Sequence, residues 1–152
     1  MEFARGAKAD LRQLAELLGI LFQQEADFSP DWQKQEAALS AILSDARIGQ
    51  IFVAREDGRA VAMASLLYTV STAEGGKAAL FEDLVVLPEY RGRGIGTGLL
   101  EHVIAQAGAE GVLRITLVTD RDNARAQALY ANAGFRPSGM LAMRLHLKGE
   151  EK

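Results

Sequence analysis

Pro88-Glu89-Tyr90-Arg91-Gly92-Arg93-Gly94-Ile95-Gly96-Thr97-Gly98 is the most informative stretch of the chain. The apolar residues 78–87 before it read as a strand, which Pro88 ends because it has no N–H to give to a ladder. Residues 96–109 after it read as a helix. Glycines at 92, 94 and 96 let the backbone curve tightly and approach a ligand with no Cβ in the way. Successive N–H groups then point into one concavity, and the helix adds partial positive charge at its N-terminus. That combination suits a phosphate or pyrophosphate, with Arg91 and Arg93 adding charge at the rim. Thr97 stands where the third glycine of a G-x-G-x-x-G fingerprint belongs, and no Gly-Lys-Ser/Thr follows, so neither the dinucleotide fingerprint nor a P-loop is present.

Upstream, Leu11, Leu14, Leu17, Leu18, Leu21 and Phe22 recur at helical spacing and predict an amphipathic helix over 10–22. Asp10 is placed to cap it, with Gln13 as capping-box partner. Ser29-Pro30 reads as the cap and first residue of a second helix running to about residue 45. Residues 51–54 and 60–70 read as two strands joined by Asp57-Gly58, a dipeptide suited to a two-residue hairpin turn. Downstream of the glycine-rich turn, residues 112–119 read as a strand and 123–133 as a short helix closed by Gly134. Residues 139–147 read as a last strand. The order is α-α-β-β-β-α-β-α-β, a mixed α/β (α+β) sheet protein with one domain over residues 1–152.

Composition narrows the function. Seventeen Lys and Arg against 20 Asp and Glu give a net charge of -3, which disfavours a nucleic-acid partner. Cysteine is absent, so disulfides and thiolate metal sites are excluded, and a cytoplasmic protein is expected. No apolar run approaches the roughly 20 residues needed to span a bilayer, and Met1-Glu2-Phe3-Ala4-Arg5 has no signal-peptide pattern, so no membrane partner is expected. His102 and His146 are isolated and give no metal-ligand spacing; His102 reads as a solvated or packing residue, and Glu101 and Glu110 as helix surface.

Arg91-Gly92-Arg93-Gly94-Ile95-Gly96 resembles the R/Q-x-x-G-x-G/A signature of the GNAT N-acetyltransferases. The resemblance implies a turn, from Gly92 to Thr97, whose main-chain N–H groups bind the pyrophosphate of acetyl-CoA. It also implies that Leu84, Val85 and Val86 pair with the pantetheine arm as an added strand would. A second segment, Asn123-Ala124-Arg125-Ala126-Gln127-Ala128-Leu129-Tyr130 followed by Ala131-Asn132-Ala133-Gly134-Phe135, is similar to the N-x-x-A-x-x-L/F-Y-x-x-x-G-F motif of the same superfamily. By that likeness Asn123 holds the pantetheine end and the Tyr130 hydroxyl sits near the thioester sulfur.

The chemistry requires a base. An alkylammonium has a reference pKa of about 10.4, so an amine reaches the thioester carbonyl as free base only after losing a proton. Glu82 and Asp83 lie on the strand that enters the turn, and alternation sends them to opposite faces. Leu80-Phe81-Glu82-Asp83-Leu84-Val85-Val86 is similar to a run of the polyamine N-acetyltransferases, which aligns Glu82 with the general base and leaves Asp83 as the alternate. A main-chain N–H near Leu84 suits the oxyanion, and Tyr130 suits protonation of the departing thiolate. The connection between the first two helices lines the acceptor groove in the superfamily, which points to Gln24, Glu25, Asp27 and Trp32. The expected activity is acetyl transfer from acetyl-CoA, without a metal, to a primary amine, a small cationic one first. A protein N-terminal or lysine acetyltransferase and a non-catalytic acyl-CoA-binding module are the alternatives. A homodimer is common among such folds, and no residue decides for or against it.

Overall fold

The computed structural model describes residues 1–24 and 30–148 of the chain. The chain forms two compact units, Met1–Leu117 and Val118–Lys152.

The first unit is built on a five-stranded sheet in the order β1 (Glu2–Arg5), β2 (Gly49–Glu56), β3 (Arg59–Ser71), β4 (Gly76–Val86), β5 (Ile115–Thr116). Neighbours are antiparallel except β4 and β5, which run parallel. The β2–β3 hairpin closes through Asp57 and Gly58 at φ 51° and 78°, the two positive values that a type I′ turn demands. Strand β2 is buried on both faces from Gly49 to Ala54, because helices cover both. Helix α3 (Ile95–Ala109) lies on the face carrying Phe3 and Phe52: the His102 ring sits 6.1 Å from Phe3 and 5.9 Å from Phe52. His102 is thus the packing residue expected. Alternation puts Arg55 on the opposite face, where it holds Asp10 at the start of α1 (Leu11–Gln24). Phe52, Met63, Leu66, Leu14, Leu17, Leu99, Leu100 and Val103 fill the core without solvent contact.

Several boundaries differ from the sequence reading. Strand β1 is additional; four residues, Glu-Phe-Ala-Arg, are too few to show a period, and they pair only because β2 offers an edge. Asp10 does not open a capping box with Gln13. It ends a short 3-10 turn, Lys8–Asp10, and its carboxylate accepts from the Ala7 N–H at 2.7 Å, while Gln13 accepts from the Ala60 N–H at 2.8 Å. Helix α2 (Trp32–Ser44) is capped by Asp31, whose Oδ1 accepts from the Lys34 N–H at 3.2 Å. The expected cap, Ser29, lies outside the described residues. Strand β5 is two residues rather than eight, since only Ala79 and Leu80 of β4 pair with it.

The second unit holds α4 (Ala124–Asn132), which Gly134 follows at φ 107°. Residues 139–147 are not a strand here. Met140, Leu141, Met143, Leu145 and Leu147 are all exposed, and apolar alternation makes a strand only where a ladder partner receives it. No described helix is long and apolar enough to cross a membrane.

Candidate active site

The glycine-rich turn has the geometry its sequence calls for. Pro88–Tyr90 forms a 3-10 turn after β4. Gly92 and Gly94 then both take φ 77°, and Gly94 is the N-cap of α3 with no side chain capping it. Among the described residues, no protein group accepts from the N–H of Gly92, Arg93 or Gly94. Ile95, Gly96 and Thr97 are the first three helical residues, whose N–H groups have no intrahelical partner. A Cβ built on Gly92 or Gly94 meets no protein atom within 4 Å. Among the described residues, the bend is therefore a row of donors that no protein group takes up, beside open space at a helix N-terminus, a setting suited to an anion.

The two arginines of the turn lie back on the protein. Arg91 donates from Nε to the Val86 carbonyl at 3.0 Å. With the Gln24 amide oxygen turned toward the guanidinium, Arg91 also donates to it from Nη2 at 2.9 Å and from Nη1 at 3.3 Å. Arg93 rests 5.0 Å above the Tyr90 ring and reaches the Glu89 carbonyl at 3.3 Å.

Strand β4 breaks its pleat just before the turn. Met63 of β3 faces Val85, but Ser65 faces Glu82, so β4 carries one residue too many across this interval. Asp83 sits in the extra space at φ 60°, in the left-handed region a non-glycine residue seldom adopts. This bulge interrupts the alternation on which the sequence reading of Glu82 and Asp83 relied. Glu82 is exposed, whereas Asp83 is half-buried with Leu84 and Val86, and Val85 is buried. The Asp83 carboxyl accepts from the Ser65 hydroxyl at 2.9 Å. Burial pushes it up to about 6, against the Ser65 bond, which lowers it, while the Glu82 charge adds to the rise. Beyond Leu80 the β5 side of β4, which includes Leu84, Val85 and Val86, has no strand partner among the described residues of this unit.

In the second unit, Asn123 caps α4: its Oδ1 accepts from the Ala126 N–H at 3.0 Å. Tyr130 is half-buried with its ring 5.9 Å from Phe135 in edge contact. Of the acceptor residues expected, Gln24 is the last residue of α1 and meets Arg91. Trp32 opens α2, exposed, with the Arg12 guanidinium 5.9 Å from its ring centre. Glu25 and Asp27 lie outside the described residues.

Glu110, expected at the helix surface, is partly buried. At the far end of α3 it accepts from Gln50 Nε2 at 2.6 Å and from the Tyr68 hydroxyl at 3.1 Å, with Arg5 3.6 Å away. Burial, then the Glu110 bond, pushes the Tyr68 phenol up to about 12. Its partners come from three strands remote in sequence, so no local signal announces the cluster. No described group of three His, Asp or Glu gathers to hold a metal.

Known proteins are similar to this chain. The model of the acetyltransferase (GNAT) family matches residues 12–135. An uncharacterised N-acetyltransferase of Mycobacterium bovis is 34% identical over 115 residues, covering 76% of this chain and 70% of that one. An uncharacterised N-acetyltransferase of Bacillus subtilis is 32% identical over 124 residues, covering 80% and 83%. A Clostridium acetobutylicum protein described as an acetyltransferase, solved with acetyl-CoA, superposes with a TM-score of 0.77 over 96% of each chain at 17% identity, a likeness of fold. The chain belongs to the GNAT family of acetyltransferases and is an acetyl-CoA-dependent N-acetyltransferase.

Proposed function

We propose that residues 1–152 act as one catalytic domain that transfers acetyl from acetyl-CoA to the primary amine of a small cationic molecule. The observation that carries the reading is the acidic pair Glu82-Asp83 at the β4 bulge, a few residues before a turn whose amides no described protein group takes up. An anionic strand end attracts a cation and provides a base at the same place.

In this reading the amides from Gly92 to Thr97 hold the diphosphate, and Leu84, Val85 and Val86 receive the pantetheine arm. Glu82, exposed at the bulge, takes the proton of the acceptor ammonium directly or through water, with Asp83 as the alternate. Free amine then attacks the thioester carbonyl, and a main-chain N–H near Leu84 stabilises the oxyanion. As the intermediate collapses, Tyr130 protonates the thiolate, whose conjugate acid has a pKa of about 8.5. The likeness of residues 123–135 to the family motif supports the roles proposed for Tyr130 and, toward the pantetheine end, for Asn123. Gln24, Glu25, Asp27 and Trp32 are assigned to the acceptor side.

Release of free thiol from acetyl-CoA across a panel of polyamines, amino acids and peptides with free N-termini or lysines tests the reading. Turnover highest on a small polycation is the expected result. Preference for a peptide replaces the acceptor class, and saturable acetyl-CoA binding without thiol release from any amine leaves a binding module. Tyr130→Phe is expected to lower kcat by about 10²-fold, the scale of a lost general acid, with acetyl-CoA affinity kept.

A further inference from the structure

The β4 bulge is gripped by a residue that neither motif contains. Ser65 lies in β3 opposite Glu82 and is 1% exposed. Its Oγ stands 3.0 Å from the Glu82 carbonyl oxygen and 2.9 Å from Asp83 Oδ2. A hydroxyl has one proton and donates once. With Asp83 ionised, the two acceptors share that proton, and the charged carboxylate is the stronger of the two, so the hydroxyl favours the ionised form. The same hydroxyl thus clamps the backbone on one side of the left-handed residue and its side chain on the other. Such a conformation persists only where its surroundings hold it.

We propose that Ser65 is a positioning residue of the transferase, bridging the Glu82 carbonyl and the Asp83 carboxyl to fix the bulge that presents the acidic pair and to couple it to the proton on Asp83. The inference rests on the reading that this pair serves the acceptor's proton. Ser65 opposes the rise that burial imposes on Asp83, and the Glu82 charge adds to it. Among the described residues, the charged groups of the elements that pack on β4, Arg12 and Glu16 of α1, Glu101 and His102 of α3, Arg59 of β3 and Arg114 beside β5, are not among the causes of that rise. Removal of the hydroxyl therefore raises the pH at which Asp83 ionises.

The test is a carbon-13 NMR titration of the Asp83 carboxyl, assigned by its loss in Asp83→Asn, set beside the pH profile of kcat. In Ser65→Ala the Asp83 midpoint is expected to rise by roughly one pH unit, with the acid limb of kcat moving by the same amount. Ser65→Thr, which keeps the hydroxyl, returns both toward wild type. Ser65→Cys, a weak donor of similar volume, moves both in the direction of Ala and serves if Ala does not fold. An unmoved midpoint in a folded Ala or Cys variant overturns the bridge itself. A midpoint that moves over an unmoved kcat profile removes the charge of Asp83 from the chemistry and overturns the catalytic part of Ser65, while leaving Glu82 as the base.

Discussion

Arg91, the first arginine of the glycine-rich turn, is tied to Gln24, the last residue of α1, through two guanidinium nitrogens at 2.9 and 3.3 Å, while its Nε holds the Val86 carbonyl at 3.0 Å. One side chain thus fastens the turn to the strand before it and to the helix that leads into the expected acceptor connection. Gln24→Ala leaves the Val86 bond in place and cuts the link to α1. A hydrogen bond to a charged group at an exposed position is worth about 1 kcal/mol, so the acceptor KM is expected to rise about fivefold. Acetyl-CoA affinity by calorimetry stays within about twofold. An affinity that falls as far as the acceptor KM rises shows that the strut serves the turn rather than α1.

Gly94 carries the sharpest demand of the turn. At φ 77° it caps α3, and its missing side chain faces open space rather than protein. A clash within the fold is therefore not what excludes other residues. Gly94→Val strains the backbone by about 1–2 kcal/mol and puts methyls where the diphosphate belongs. Acetyl-CoA affinity is expected to drop at least about tenfold, well beyond the small loss of Tm. Titration calorimetry beside a melting curve separates the two; wild-type affinity in the variant removes the turn from cofactor binding.

The turn was legible because its demands are local: a positive φ and a free N–H select glycine at 92 and 94 whatever surrounds them. The hairpin at Asp57-Gly58 and the end of α4 at Gly134 were legible for the same reason. What escaped depends on residues far apart in the chain. The extra residue of the bulge is visible only against its partner strand, and Ser65 meets Asp83 across 18 positions. Glu110 looks like helix surface until Gln50 and Tyr68 close on it. The strand expected over 139–147 is absent because an apolar stretch records a capacity to pair, and no described ladder takes it up.

Asp10 links α1 to the sheet through Arg55, whose two terminal nitrogens meet its two carboxylate oxygens at 2.5 and 2.7 Å. The carboxyl is 6% exposed. The Arg55 bonds hold it below the usual carboxylate value, and the Ala7 N–H adds to this against the cost of burial. A depressed carboxyl adds stability above its unfolded value of 3.8, and that stability is lost as pH falls through the lower folded value. Breaking a buried pair from one side costs roughly 3–5 kcal/mol, so Asp10→Ala is expected to lower stability by about that much at pH 7. Its urea midpoint then changes less than that of wild type between pH 5 and 3. An acid dependence equal to that of wild type shows that another carboxylate governs it.

Gly98 answers to packing rather than to backbone conformation. A Cβ placed there falls 2.5 Å from Phe3 Cζ and 3.0 Å from Cε2, the first closer than real Cβ atoms approach a neighbour and the second tighter than nearly all do. It belongs to the first turn of α3, where that helix crosses β1, so the short N-terminal strand lies close only because residue 98 has no side chain. An added methyl in a packed core typically costs about 1–3 kcal/mol, which outweighs the gain of about 1 kcal/mol that alanine gives inside a helix. Gly98→Ala is therefore expected to lower the melting temperature by several degrees. Phe3→Leu in the same chain makes room and returns part of the loss, a coupling that a double-mutant cycle reads directly. Additive effects of the two substitutions mean that Phe3 does not set the limit at residue 98.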